Sequence, residues 1–150
     1  MTTLSSDRIA RNINKLLYDF ACHLQDRLAA VASRYDLTAP QVEVLGRVAN
    51  PVPMRQLAEA MHCDASNITG IVDRLEARDL VVRRPASSDR RVSQIVLTPQ
   101  GQTIYQRFCD DLYGNDELLR ALDSAERETL HNLLQRLTAT PACSGCQVTA

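Results

Sequence analysis

Three groups of residues in this 150-residue chain have types and spacings that could do chemistry. The first is a polar set, Ser66, Asn67 and Thr69, followed by Gly70, in the stretch DASNITGIVDRL. An Asn side chain can pair with adenine edges, and Ser or Thr hydroxyls with several bases. The second is an arginine run, Arg78, Arg83, Arg84, Arg90 and Arg91, which with Asp79 and Asp89 gives residues 78–93 a net charge of +3. Arginine presents a planar fork to phosphate and to base edges. The third is a set of five cysteines at 22, 63, 109, 143 and 146. An odd, widely spaced set without a secretory signal does not suggest a disulfide framework. Cys63 directly precedes the start of a helix, whose dipole can activate a thiol; the same position suits an ordinary small turn residue. Cys143-x-x-Cys146 has redox or metal spacing, but no further Cys or His stands near it. These three cysteines are the redox candidates, and no metal site is expected.

Other chemistries find no support. The glycines at 46, 70, 101, 114 and 145 are scattered, so no loop cradles phosphate. No Ser/His/Asp set or carboxylate pair stands out, and His23, His62 and His131 lack ligand spacing. The chain is therefore not expected to be an enzyme or to need a cofactor. A hydrophobic content of 45% is enough for a core, yet no apolar run approaches the about 18 residues of a membrane span. The N-terminal stretch has no apolar region ahead of a cleavage site. A cytoplasmic protein without a membrane partner is the expectation. Net charge is only −1, and residues 101–150 carry −3, so positive charge is local to the arginine run.

The elements that must position these groups are legible from periodicity and punctuation. Ile68, Val72 and Leu75 mark one helical face, with Asp64 placed as its cap. Ser66, Asn67, Thr69 and Gly70 fall on the opposite face. From Leu80 the pattern turns extended through Arg84, passes a polar tip at Pro85 to Arg91, and is extended again over Val92 to Leu97. Arg83 and Arg84 alternate on the first strand, so one of them faces outward. Thr98-Pro99 opens a helix carrying Ile104, Phe108 and Leu112, which stops near Gly114. Upstream, residues 7–34 read as one long amphipathic helix with Ile9, Ile13, Leu16, Leu17, Phe20, Leu24, Leu28 and Val31 on its apolar stripe. Thr38-x-x-Gln41 with Pro40 is a capping-box start for a short helix bearing Val42, Leu45, Val48 and Ala49. Pro51 and Pro53 fix a turn, Met54 to Met61 make a third helix, and His62-Cys63 turns into the helix from Asp64. Asp123 with Glu126 caps a last, leucine-rich helix to about residue 140, and residues 141–150 form a flexible tail. The fold class is mainly α: a winged helix-turn-helix lobe over 38–97 within a single domain, 1–150.

At this point the residues resemble a known family. Asp89-Arg90-Arg91 followed by Leu97-Thr98-Pro99-Gln100-Gly101 is similar to the wing and L-T-x-x-G signature of the multiple-antibiotic-resistance regulator (MarR) family. Ser66-Asn67-Ile68-Thr69 ahead of Val72-Asp73-Arg74-Leu75-Glu76 resembles its recognition helix. The resemblance covers about residues 10–140. It implies a homodimeric transcription regulator, mostly a repressor in this family, bound to a palindromic double-stranded operator. Helices 7–34 and 116–140 would build the dimer. Ser66, Asn67, Thr69, Gly70, Arg74, Arg84, Asp89, Arg90 and Arg91 would meet DNA, with Arg90 in the minor groove and Asp89 orienting it by a bidentate pair. Arg74 either contacts phosphate or pairs within the protein; Arg55 and Gln41 are further phosphate candidates. The resemblance also implies release by a small aromatic effector, held between dimer helices and DNA lobe beside Tyr18, Phe20, His23, Arg47 and Met61, or by cysteine oxidation.

Overall fold

The structure, a computed structural model, describes residues 3–86, 91–114 and 116–139, with side chains from residue 7 onward except those of 116 and 117. Asp89, Arg90, Cys143, Cys146 and the expected tail 141–150 lie outside the described residues. The order of elements is α1 (Thr3–Ser33), α2 (Ala39–Arg47), β1 (Val52–Pro53), α3 (Met54–Ala60), α4 (Ala65–Glu76), β2 (Val81–Pro85), β3 (Ser93–Leu97), α5 (Pro99–Tyr113) and α6 (Ser124–Thr138), with a 3-10 turn at Asp116–Leu119.

Local chemistry sets most boundaries. At α2 the capping box is present, with the Gln41 side chain accepting from the Thr38 amide at 2.9 Å. That use of Gln41, which is buried, removes it as a phosphate contact. Asp123 and Glu126 cap α6 reciprocally, each bond 2.9 Å. Asp64 occupies the cap position of α4 but makes no side-chain cap bond. α5 ends at Gly114 in right-handed geometry, with φ −74, so no left-handed glycine stops it. Left-handed turns occur instead at Asp36, His62 and Asp79, after α1, α3 and α4, with φ of 54, 48 and 56.

The sheet is antiparallel in the order β1-β3-β2. β1 is an addition to the expected layout: Val52 and Pro53 pair with Ile95 and Gln94. The second wing strand starts at Ser93 rather than Val92. Register decides which wing side chains face inward. Val81, Arg83 and Ile95 share the face turned to the body, Arg83 lying opposite Ile95, because side chains alternate along a strand. Arg84 and Val82 therefore point the other way.

One core lies among α2, α3, α4, the sheet, α5 and the last turn of α1. Leu45, Leu57, Ile68, Leu75, Leu80 and Ile95 are fully buried in it. Val44 is buried where Ala49 was expected, and Ala49 is exposed. The long stripe on α1 behaves differently. From Ile9 to Leu24 its large apolar side chains are exposed, Leu16 at 59%; Val31 and Ala32 are buried in the core and Leu28 packs partly buried against it. α6 buries no residue at all.

Two glycines give opposite expectations. A Cβ at Gly101 would overlap the Leu80 carbonyl oxygen, whereas one at Gly70 meets nothing within 4 Å. In urea unfolding, Gly101→Ala is expected to lose about 3 kcal/mol or more, since a backbone atom cannot move aside. Gly70→Ala is expected to gain up to about 1 kcal/mol, the helix-propensity difference.

Candidate nucleic-acid interface

The structure places the polar set where a groove could receive it. Ile68, Ile71, Val72 and Leu75 bury one face of α4, and Ser66, Asn67 and Thr69 are exposed on the other, in its first turns. Helix-turn-helix proteins offer that end of the second helix to the major groove. The amide of Asn67 donates to Cys63 Sγ at 3.7 Å, and the Thr69 hydroxyl donates to the Ala65 carbonyl at 2.7 Å. Both side chains are thereby oriented and keep acceptor oxygens toward solvent. Gly70 lacks neighbours that would require a glycine, so internal packing does not explain it.

The arginines divide sharply. Arg83 is spent inside the protein: it bonds Asp73 at 2.5 Å and also Glu76, and its own backbone amide donates to Glu76 at 3.1 Å. The Asp73 bond, then the neighbouring carboxylates, raise its pKa against a partial desolvation. Arg78 donates to the carbonyls of Tyr35 and Asp36 at 2.9 and 2.5 Å, tying the end of α4 to the turn after α1. Arg55 pairs with Glu59 at 3.0 Å. Arg84 and Arg74 are exposed, and among the described residues neither has a hydrogen bond or ion pair. For Arg74 this removes pairing with Asp73, which Arg83 occupies. Arg91 is exposed at the start of the return strand. The sequence reading missed the roles of Arg83, Asp73 and Glu76. A signal existed in the two carboxylates three residues apart on α4, followed by an arginine on the inward phase of the next strand.

The residues offered for an effector are dispersed in the single chain. Tyr18 is 72% exposed in the middle of α1, with His23 also exposed. Arg47 is bonded to Glu43 at 2.8 Å, and Met61 packs against the core. An open cleft of about 660 Å³ lies elsewhere, between α3 and α4, lined by Met54, Arg55, Glu59, His62, Cys63 and Thr69 among others. Cys63 thus borders solvent next to Asn67. Cys22 is exposed on α1, and Cys109 sits half-buried beside Tyr105 on α5. Burial pushes the Cys109 thiol up, and the Tyr105 hydroxyl, itself pushed up to about 12 by burial, offsets part of that. Among the described residues no cluster of His, Cys, Asp or Glu could hold a metal, and no helix is long and apolar enough to cross a membrane.

Comparison with known proteins gives a consistent picture. A profile of the MarR family matches residues 37–93. The multiple antibiotic resistance protein MarR of Salmonella typhimurium is 32% identical over 110 residues, covering 70% of this chain and 76% of that protein. Wild-type apo MarR from E. coli is similar in structure, with a TM-score of 0.72 at 29% identity over 83% of this chain and 94% of that one. A cysteine-to-serine variant of the same protein, complexed with operator DNA, has a TM-score of 0.63 at 27% identity, covering 84% and 93%. Against two other curated relatives, from Thauera aromatica and Bacillus subtilis, the match spans 55% and 59% of their length.

The raised Cys109 thiol has a measurable consequence. Less thiolate at a given pH means slower alkylation. At pH 8, iodoacetamide is expected to modify Cys109 more slowly than Cys63, as read by peptide mass spectrometry; equal or reversed rates would contradict the environment described for Cys109.

Proposed function

The chain belongs to the MarR family of transcriptional regulators, and from that premise we propose that it is a repressor that binds a palindromic operator as a homodimer. The observation that carries the reading is the exposed Ser66-Asn67-Thr69 face on α4, backed by a buried apolar face and flanked by a wing whose Arg84 points outward. In this reading Ser66, Asn67, Thr69 and Gly70 enter the major groove, and Arg74, Arg84 and Arg91 meet phosphates. Arg90, oriented by Asp89, takes the minor groove. Covering a promoter then excludes polymerase. A regulator of this kind works in the compartment that holds the DNA, which is the cytoplasm of a bacterium.

Dimerisation is supported by what the single chain leaves uncovered. Ile9, Ile13, Leu16, Phe20 and Leu24 on α1 and Leu133, Leu134 and Leu137 on α6 are all more than 40% exposed. Monomeric proteins rarely expose contiguous apolar surface on that scale. Pairing these helices across a two-fold axis would cover them and set the two α4 helices about 34–36 Å apart, one turn of DNA. A small aromatic effector acting beside Tyr18, Phe20, His23, Arg47 and Met61 would change that spacing.

A second reading has a specific observation behind it. Asn67, a base-reading candidate, donates to Cys63 Sγ. Oxidation of that sulfur would alter the partner that orients Asn67, so a thiol signal could act on base contacts directly. Cys143 and Cys146 are the other thiols available to such a switch.

Selecting duplexes from a random pool tests the reading: a palindrome is expected, and no enrichment would remove it. Sedimentation is expected to give a dimer at micromolar concentration; a monomer that still held a palindrome tightly would overturn the dimer.

For the wing, Arg90→Ala is expected to keep the thermal midpoint, since an arginine that the sequence assigns to a polar tip should contribute only about 0–1 kcal/mol to stability. It should reduce operator affinity and shrink the log–log salt slope by about one unit per chain. Asp89→Ala should also weaken binding, against the sign of simple charge repulsion. Tighter binding by Asp89→Ala would show that Asp89 orients nothing.

A further inference from the structure

Resting on the DNA-binding reading above, we propose that Arg83 is a positioning residue: a two-carboxylate clamp to Asp73 and Glu76 that sets the angle of the wing on α4, with no phosphate contact of its own.

The geometry is specific. Asp73 and Glu76 stand three residues apart on α4, so they share a helix face. Arg83 lies on the inward face of β2, opposite Ile95. Its two terminal nitrogens separate, one to Asp73 Oδ1 at 2.5 Å and the other to Glu76 Oε2. The second Glu76 oxygen accepts the Arg83 backbone amide at 3.1 Å. Glu76 thus grips both the side chain and the main chain of the strand. A guanidinium fork can serve two carboxylates at once; an ammonium on a flexible stem is a single point charge. Arg83 and Glu76 are half-sheltered, with 30% and 35% of their side chains exposed, so solvent screens that pair only in part, while Asp73 at 56% is the open arm of the clamp.

Position turns this pair of bonds into a functional device. The N-terminal turns of α4 carry the base-reading candidates, and its C-terminal turns carry the clamp. The strand held there continues beyond Arg83 through Arg84 and Pro85. Apolar packing at Val81 and Ile95 anchors the root of the ribbon, and the clamp fixes its direction further out. The clamp also answers a charge problem. Asp73 and Glu76 are two acids on a helix that must approach a polyanion, and a guanidinium between them offsets much of their repulsion. Arg84, next in sequence but on the opposite face, is left to serve as the outward arginine of that strand.

A double-mutant cycle on the selected operator duplex tests this. Affinities and salt slopes would be measured for wild type, Arg83→Met, Asp73→Asn/Glu76→Gln and the triple variant, with thermal midpoints for each. Arg83→Met is expected to weaken binding about tenfold in the wild-type background and less than about twofold once both carboxylates are neutralised, the coupling that contacting groups show. The salt slope should stay the same. An equal loss in both backgrounds, with the slope smaller by about one unit per chain, would overturn the proposal and make Arg83 a phosphate contact. If Arg83→Met does not fold, Arg83→Lys decides. A phosphate contact tolerates lysine; a forked clamp does not, so wild-type affinity for that variant would also overturn it. Failure of the wild-type chain to bind any duplex would instead remove the DNA-binding reading, and this inference with it.

Discussion

One threonine hydroxyl holds the lobe together. Thr98 Oγ1 donates its single proton to the Asp79 carbonyl at 2.5 Å and accepts from the Gly101 amide at 3.0 Å, while its own amide donates to Leu80 at 3.1 Å. Four structural events meet there: the left-handed exit of α4 at Asp79, the start of β2, the end of β3 and the first turn of α5. Gly101 completes the joint by having no Cβ where the Leu80 carbonyl sits. The L-T-x-x-G signature is therefore a requirement of packing, not a ligand site. The exit of α4, the roots of the two wing strands and the start of α5 are thereby fastened at one point.

A second fastening lies at the other side of the same helix end. Arg78 gives its donors to the carbonyls of Tyr35 and Asp36, and the Tyr35 hydroxyl donates to Asp111 on α5 at 2.8 Å. The stacked and edge-on rings of Tyr105, Phe108 and Tyr35 fill the space between. The lobe is thus braced against the last turn of α1 and the length of α5. Beyond that brace the packing stops. The rest of α1 and all of α6 have apolar side chains without a covering layer in the single chain. That asymmetry is what the proposed pairing of α1 and α6 across a two-fold axis would resolve, by covering in a second core what the single chain leaves exposed.

Much of this was legible in the sequence because it depends on short-range rules. Helix periods, the two capping boxes' residues, the Thr98-Pro99 start and the polar face of α4 are all encoded within a few residues of where they act. What escaped depends on register and on distant partners. β1 is two residues long and contains a proline, so it carries no strand signal; it exists because β3 offers it an edge. Gln41 was legible as a capping residue, but its burial, which withdraws it from phosphate, was not. Strand alternation alone left open which of Arg83 and Arg84 turns inward; the family resemblance favoured Arg84 as the outward one, and the pairing of Arg83 with Ile95 decides it. The wing tip and the cysteine pair near the C-terminus lie outside the described residues, and the effector candidates do not converge in one chain.

The distribution of arginine resolves a tension in the composition. A chain of net charge −1 is a poor general binder of a polyanion. Within 78–93 the sum is favourable, yet Arg78 is committed to two backbone carbonyls and Arg83 to two carboxylates. Of the arginines around the α4–β2 region, Arg84 on β2 and Arg74 on α4 are exposed and have no partner among the described residues. Under the proposed DNA-binding reading, few phosphate contacts would mean a shallow dependence on salt and weak non-specific binding, because each released counterion comes from one neutralised phosphate. Under the proposed reading, tight binding would then have to come from base edges and groove shape, a role for the Asn67 face of α4 and the β2–β3 ribbon. Holding those two elements at a fixed angle matters more, under that condition, than adding charge to either.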